Sequence, residues 1–305
     1  MVTNKEIKPV EYPTIAGIVI WLTSIPFPDF AISKFSYFVL NCFLISFLYV
    51  ATVYFVRKIA GEGLSKILVY SPVVVLSLYL NWDMWAVLPL IIGIYLFVEK
   101  RFFSSGILVG FSIATKFFPV LMFLPISIYF SRNRNTRAFL GFFSAVSLIW
   151  ALINVPLILT NFDGWIYFYR FNAIRGLGEG SIYDAILKLG LIKDIPIYAY
   201  FITNILAFIA LSIFLYRVKA PINPLTSTFL TIGIFTFFGK QYSIQYALWL
   251  TPLAIISLST FSKQVQRPIF RSLVLWQVGE FVLWYAYFKN KLGEMSGFEI
   301  GRAHV

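Results

Sequence analysis

The sequence predicts an all-α polytopic membrane protein with about nine to ten transmembrane helices or half-helices. Hydrophobic residues make up 59% of the 305 residues and charged residues only 12%, whereas a soluble domain has about 25% charged residues. Apolar runs recur along the whole chain, and most positive charges fall in short connections between them. These observations exclude a set of soluble domains and favour one membrane domain.

The first apolar stretch is too short to cross a bilayer, which takes roughly 20 residues. Residues 13–26 are therefore expected to form a juxtamembrane helix that begins at Pro13. The later stretches predict transmembrane helices or half-helices at 36–56, 67–80, 84–98, 106–115 with 117–130, 138–159, 197–215, 225–238, 246–261 and 272–288. The single cysteine, Cys42, excludes an internal disulfide and a cysteine-based metal cluster.

Five short connections carry most of the net charge of +12. They hold 13 Lys and Arg against two acidic residues, Glu62 and Glu99, and they span 57–66, 99–105, 131–137, 216–224 and 262–271. Because Lys and Arg accumulate in cytoplasmic loops, these connections are predicted to be cytoplasmic. The basicity therefore reflects topology and not binding to nucleic acid.

Lys116 interrupts an uncharged run that extends from Gly106 to Pro125. An ammonium group at the bilayer centre costs about 2.5–3.5 kcal/mol. The lysine therefore either snorkels to the interface or faces a polar cavity, where a bound anion would offset the cost. A single helix over 106–130 would place every later loop on the opposite side of the membrane. Two half-helices instead keep the basic connections on the cytoplasmic side. Pro119 favours a break near Lys116, so we expect the lysine at a helix break on the extracytoplasmic side.

Three carboxylates lie in or beside apolar segments, and each has two interpretations. Asp83 follows Asn81-Trp82 and directly precedes the apolar segment 84–98. There it is either a helix N-cap or a carboxylate beside a lipid-linked substrate. Glu11 is either a charge near a helix N-terminus or a cavity acid. Glu280 lies inside the last apolar segment and has snorkelling as its ordinary explanation. None of these carboxylates alone identifies an enzyme.

The connection 161–196 is predicted to be a long extracytoplasmic loop in which aromatic residues alternate with Arg170 and Arg175. This mixture suits a sugar or a phosphate, and it also suits an interfacial aromatic belt. Within the loop, residues 181–192 have the apolar spacing of an amphipathic interfacial helix.

The turn 239–245 is predicted to lie on the same side of the membrane. Gln241 and Gln245 are four residues apart, so they would share a face if the turn is helical. Four cations on this side exceed what an aromatic belt requires: Lys116, Arg170, Arg175 and Lys240. An anionic lipid headgroup such as a polyprenyl phosphate would satisfy them.

Five short motifs occur along the chain in this order: Glu11-Tyr12-Pro13, Asn81-Trp82-Asp83, Gly110 to Pro119, Gly164-Trp165 to Gly176 with Gly180-Ser181, and Gln241 to Tyr246. The set resembles the GT-C type of integral-membrane glycosyltransferases. Within that type it resembles glycosyltransferase family 87, similar to polyprenol-phosphate-mannose-dependent mannosyltransferases. The resemblance covers essentially the whole chain and implies a GT-C-like helical bundle.

The resemblance implies a hexosyltransferase that moves a sugar, with mannose expected, from a polyprenyl-phosphate donor to a lipid or glycan acceptor. Transfer would occur at the extracytoplasmic face of the plasma membrane, with inversion, a carboxylate as general base and cations on the departing phosphate. No cofactor is implied, and a divalent metal is left open. The implied catalytic carboxylates are Asp83 and Glu11. The implied phosphate ligands are Lys116, Arg170, Arg175 and Lys240, and the implied pocket residues are Trp82, Asn172, Gln241 and Gln245.

Two features depart from the family pattern. In the family, a transmembrane helix and a loop with an acidic residue precede the Glu-Tyr-Pro motif, but only ten residues precede Glu11 here. We therefore expect residues 1–298 to be an N-terminally truncated domain without the first helix and the main base, and such a fragment could be inactive. Residues 299–305 resemble a translated sequencing adapter and are excluded from the fold, which removes the only histidine, His304.

Two other functional classes stay open. A transporter or flippase for an anionic lipid or solute is one, because broken helices with an intramembrane lysine also occur in secondary transporters. The lack of an internal repeat in the sequence disfavours it. A non-catalytic membrane subunit of a glycosylation complex is the other, and a missing base would favour it.

Overall fold

The computed structural model describes residues 9–196, 198–218 and 223–294, without the side chains at 30–32 and 290–294. These residues form α-helices and two short 3-10 helices, Phe118–Met122 and Ile244–Tyr246, and no strand. The α-helices are α1 (Thr14–Ser24), α2 (Phe30–Ala60), α3 (Glu62–Tyr70), α4 (Pro72–Ser77), α5 (Met84–Val98), α6 (Phe102–Thr115), α7 (Phe123–Arg132), α8 (Thr136–Thr160), α9 (Phe162–Ile174), α10 (Ile182–Lys188), α11 (Ala199–Arg217), α12 (Pro224–Phe237), α13 (Ala247–Ser259) and α14 (Lys263–Glu294). Residues 299–305, the expected adapter-derived tail, lie outside the described residues.

The helices confirm an all-α polytopic membrane protein. Among the described residues, three segments are long and apolar enough to cross a membrane, and six shorter apolar helices accompany them; the three are Ser33–Ala60, Thr136–Thr160 and Ala199–Arg217. Large hydrophobic side chains on these segments are exposed, among them Phe43 and Leu206. Helices that are apolar all round and yet exposed are typical of spans that face lipid.

The centre of the bundle is formed by α5, α6, α8 and α13. Every residue of α13 from Ala247 to Leu258 is buried. Two glycines of α6 bring its backbone close to α8. A Cβ added at Gly110 would lie 2.8 Å from the Val146 carbonyl oxygen, and a Cβ added at Gly106 would overlap the Phe142 carbonyl oxygen, also in α8. Small residues allow such close approach between membrane helices. This packing fixes the ends of α5 and α6, where the candidate site lies.

The expected helix break at Lys116 is present. α6 ends at Thr115, and Lys116 has an extended backbone with φ −146° and ψ 135°. Pro119 lies in the first turn of the 3-10 helix that leads into α7, where its missing amide leaves no hydrogen bond unmade. Two half-length helices therefore replace one continuous span.

Several expected boundaries differ from the structure, and three of the differences have a clear physical form. The expected loop 161–196 contains α9 as well as α10, and only α10 corresponds to the expected interfacial helix. The expected helix 67–80 is divided before Pro72, because proline lacks the amide that a continuous helix needs. The expected connection 262–271 is helical, since α14 begins at Lys263.

Candidate active site

Asp83 and Lys116 form a buried ion pair. Lys116 Nζ lies 2.6 Å from Asp83 Oδ1, and the exposed fractions of the two side chains are 14% and 0%. Neither oxygen of the Asp83 carboxylate has an aligned hydrogen bond within the described residues. The contact is therefore mainly electrostatic. Because little water reaches it, the attraction is stronger than between the same charges at a protein surface.

Local backbone geometry leaves both side chains available for this contact. Asp83 occupies the N-cap position of α5, as one interpretation expected, but its side chain makes no capping hydrogen bond. Its carbonyl oxygen instead accepts from the amides of Ala86 and Val87. Ser112 Oγ donates to the Ala86 carbonyl oxygen over 2.7 Å and joins α6 to α5. The helix ends that carry Asp83 and Lys116 are thereby held together.

Aromatic rings surround the ammonium group. Lys116 Nζ lies 5.0 Å from the centroid of the Tyr12 ring and 6.0 Å from that of Trp249, within the range of a cation–π contact. Tyr12 packs edge-on against Trp82, with 5.8 Å between centroids. Trp82 Nε1 donates to Asn41 Oδ1 over 3.1 Å. The expected pocket residue Trp82 is therefore part of the site.

Glu11 lies beside the ion pair and not within it. It directly precedes Tyr12, and its side chain is exposed. The second expected carboxylate is thus exposed and precedes a residue that contacts Lys116.

A row of aromatic rings runs from the ion pair to α14. Phe118 stacks on Trp249 with 3.9 Å between centroids, Trp249 on Tyr246 with 4.4 Å, and Tyr246 meets Tyr242 edge-on at 5.6 Å. The Tyr242 hydroxyl donates to the Glu280 carboxylate, which is buried. The expectation that Glu280 snorkels to the interface is therefore wrong.

A second polar group joins the segment after α9 to the turn after α12. Lys240 Nζ donates to the Ala173 carbonyl oxygen over 3.0 Å. The side-chain amide of Gln241 donates to the Gly176 carbonyl oxygen. The Gly178 amide donates to the Lys240 carbonyl oxygen over 2.8 Å. Two of the expected site residues, Lys240 and Gln241, thus hold this segment in place.

Arg175 contributes a second positive charge to this group. Burial and, next in size, the charge of Arg175 lower the pKa of Lys240 below its ordinary value. The two cations are therefore close enough to repel each other, which favours an anion near them. The Tyr246 ring lies within the electrostatic reach of both Arg175 and Asp83, so it borders the ion pair and the second group.

Two expected site residues on α9 lie at the surface. Arg170 is 3.7 Å from Asp163, and both side chains are exposed. Asn172 is also exposed and donates to a carbonyl oxygen one turn earlier over 2.8 Å. Tyr169, the residue before Arg170, packs edge-on against Phe117 with 5.8 Å between centroids. Arg170 and Asn172 are therefore near the site but not gathered into it, and their roles stay predictions.

The condition under which Gln241 and Gln245 would share a face, a helical turn from 241 to 245, is not met. Residues 241–243 are not helical, and Gln245 lies in the 3-10 helix Ile244–Tyr246. The Gln241 side chain instead donates to the Gly176 carbonyl oxygen. Gln245 is half-buried.

Sequence reasoning did not identify Tyr12 and Trp249 as contacts of Lys116. Aromatic residues make up 19% of the chain, so no single ring stands out. Asn41 offered a usable signal, because a polar residue within a long apolar helix is expected to have a polar partner.

No group of three or more His, Cys, Asp or Glu that could hold a metal ion occurs in the part of the chain that the structure describes. The cations near the site are side chains: Lys116, Arg175 and Lys240. Metal dependence stays untested by this geometry.

The chain is similar to a known family of glycosyltransferases over part of its length. Residues 76–188 match the model of the family described as Mannosyltransferase (PIG-M). This segment contains Asp83 and Lys116 and extends from α5 through α10. No curated protein and no solved structure matches the chain. The match confirms the resemblance to GT-C-type membrane glycosyltransferases and supports a membrane mannosyltransferase. It is also compatible with the narrower resemblance to glycosyltransferase family 87.

Proposed function

We propose that this chain transfers mannose from a polyprenyl-phosphate donor to a hydroxyl group of a lipid or glycan acceptor. The proposed active side faces the outside of the plasma membrane, and the proposal includes no cofactor while leaving a divalent metal open. One observation carries the proposal: the buried ion pair of Asp83 and Lys116 at a helix break. This pair lies inside the segment that matches a mannosyltransferase family.

Lys116 supplies the cation that binds the donor phosphate. Its ammonium group is slightly exposed at the end of α6, so a ligand can reach it where few water molecules compete. Lysine binds phosphate as a point charge, and such a contact is worth more in a poorly hydrated site than in water. Arg175 and Lys240 repel each other in the neighbouring group, so a bound anion also lowers their mutual repulsion.

Asp83 acts as the general base after the phosphate has taken over its contact with Lys116. The acceptor hydroxyl gives its proton to the carboxylate while its oxygen forms a bond to the anomeric carbon of mannose. The bond between that carbon and the phosphate oxygen breaks, and the polyprenyl phosphate leaves with the electron pair. Attack opposite the leaving group inverts the anomeric centre. Glu11 is the alternative base, because it is exposed beside Tyr12.

The remaining expected residues bind the sugar and the headgroup. Trp82 offers an aromatic surface beside the pair. The amide side chains of Asn172, Gln241 and Gln245 can donate to and accept from sugar hydroxyls. Arg170 on exposed α9 is a further phosphate ligand if it leaves its contact with Asp163.

Transfer of radiolabelled mannose from a polyprenyl-phosphate donor to acceptors in isolated membranes tests the proposal. Lys116→Ala and Asp83→Asn should each lower kcat/KM by about 100-fold or more. Lys188→Ala is the matched control, because Lys188 is exposed and lies in the same family-matched segment. Undiminished transfer by the first two variants at normal expression would remove the basis for both roles.

A transporter or flippase is the second candidate function. The observation that favours it is the helix broken at Lys116, since discontinuous helices also form the substrate sites of secondary transporters. Movement of a polyprenyl-phosphate lipid across sealed vesicles without a new covalent product would support this candidate. Sugar transfer by the purified chain would exclude it, along with a purely non-catalytic subunit.

A further inference from the structure

Three polar side chains share one face of α14. Trp276, Glu280 and Trp284 are spaced by four residues, so they lie one above the other. Glu280 is 6% exposed. Its Oε1 atom accepts from the Tyr242 hydroxyl and from Trp276 Nε1, the latter over 2.9 Å. The proposed transfer reaction uses none of these three α14 residues.

Two atoms on this face are buried without a hydrogen-bond partner among the described residues: Glu280 Oε2 and Trp284 Nε1. The first is an acceptor and the second a donor. Leaving either atom unpaired destabilises a fold, and such atoms are rare in native proteins. A carboxylate within an apolar membrane segment is expected to have a functional reason. The two atoms together therefore indicate a ligand that both donates and accepts.

A hydroxyl group meets this requirement, because it can donate to the Glu280 carboxylate and accept from the Trp284 indole N–H. A phosphate offers acceptor oxygens only, and the carboxylate would repel it. A metal ion would need further ligands, and the described residues hold no cluster that could supply them. We propose that Glu280 and Trp284 form a subsite for the hydroxyl groups of a saccharide. This inference rests on the proposed function, and the saccharide is either the donor mannose or a sugar of the acceptor.

The aromatic row connects this subsite to the ion pair. Tyr242 contacts Glu280, and its ring leads through Tyr246 to Trp249 with centroid distances of 5.6 and 4.4 Å. Trp249 in turn lies 6.0 Å from Lys116 Nζ. The phosphate site and the hydroxyl subsite are thus at opposite ends of one row of rings. Both subsite atoms are closed to solvent, so binding requires neighbouring side chains to move.

Binding of three probes to the purified full chain in nanodiscs separates sugar recognition from phosphate recognition. The probes are farnesyl phosphate, farnesyl phosphate linked to mannose, and methyl α-mannoside added to protein saturated with farnesyl phosphate. Glu280→Gln replaces an acceptor oxygen by an amide donor, and Trp284→Phe removes the indole N–H but keeps a ring. Each should weaken a sugar-bearing probe about tenfold and leave farnesyl phosphate unchanged. Glu99→Gln, at an exposed glutamate, is the matched control.

A loss confined to the mannose-linked lipid assigns the subsite to the donor, and a loss confined to methyl α-mannoside assigns it to the acceptor. The inference is overturned if both variants bind every probe as the wild type does. It is also overturned if they lose farnesyl phosphate by the same factor as the sugar probes. In the former case, binding of farnesyl phosphate that depends on Lys116 would still support the proposed function. A wild-type chain that binds neither lipid would overturn both proposals.

Discussion

The two single losses from removing each partner of the buried ion pair are expected to add up to more than the loss from removing both partners together. Lys116 Nζ and Asp83 Oδ1 are 2.6 Å apart, and the Asp83 side chain is fully buried. Lys116→Met leaves that carboxylate without a cation and without an aligned hydrogen bond. Breaking a buried pair in this way costs about 3–5 kcal/mol. We expect a loss of this size in the free energy of unfolding.

The reverse variant, Asp83→Asn, should cost less. The Lys116 ammonium group keeps some exposure and its contacts with the rings of Tyr12 and Trp249, so we expect a loss of about 2 kcal/mol. The double variant leaves no charge buried alone. Its loss should therefore be smaller than the sum of the single losses by at least about 2 kcal/mol.

Unfolding by SDS in lipid–detergent micelles, followed by tryptophan fluorescence, gives the free energies for this cycle. The pair of Asp184 and Lys188 provides a matched cycle, because its atoms are 2.9 Å apart with Lys188 exposed. There we expect a coupling of about 0.5 kcal/mol or less. If the Asp83 and Lys116 losses add within about 0.5 kcal/mol, the two charges are not coupled. The argument from burial would then be refuted.

Three further predictions concern packing, anchoring and pH. Gly106→Ala should lower the free energy of unfolding by about 2 kcal/mol or more, because the added Cβ overlaps a carbonyl oxygen of α8. Gly141→Ala, where no atom lies within 4 Å, should be neutral or stabilise by up to about 1 kcal/mol in the same assay. Asn154→Leu removes the acceptor of two side chains, one on α1 and one on α9, so it should cost about 2 kcal/mol and speed proteolysis of both helices. Burial and Arg175 lower the pKa of Lys240, so the unfolded chain binds a proton there more tightly than the folded chain. The free energy of unfolding should therefore rise with pH from the lowered pKa to the ordinary value of 10.5. A Lys240→Arg variant should lose this slope in a pH series, and an unchanged slope would assign it to another group.

Much of the helical framework could be predicted because apolar length and charge are local properties of the sequence. The stretch 84–98 coincides with α5, and the break at Lys116 followed from the order of the charges. α9 was missed because apolar and aromatic residues occur almost all round it, so no polar face separates from an apolar stripe. The start of α14 was missed because Lys263 and Arg267 resemble a loop in a hydropathy pattern.

The candidate site could be predicted residue by residue but not as contacts. Asp83 and Lys116 each stand out as a charge among apolar residues, yet they are 33 positions apart. Their pairing depends on how α5 and α6 pack. The shared face of Gln241 and Gln245 depended on a helical turn, and residues 241–243 are not helical. A spacing of four residues predicts a shared face only where the segment is helical.

Charge balance explains why the proposed reaction needs more cations than Lys116. When the donor phosphodiester binds, one negative charge joins that of Asp83, and Lys116 alone cannot balance both. Proton transfer then neutralises Asp83 while the leaving phosphate becomes a monoester with a charge of about −1.5 to −2. The negative charge thus moves from the carboxylate to the phosphate without changing its sum appreciably. Arg175 and Asp83 both lie within electrostatic reach of Tyr246, and the neighbouring cations are Arg175 and Lys240. In the proposed mechanism they are needed from donor binding onward, because an uncompensated charge in an apolar environment costs several kcal/mol.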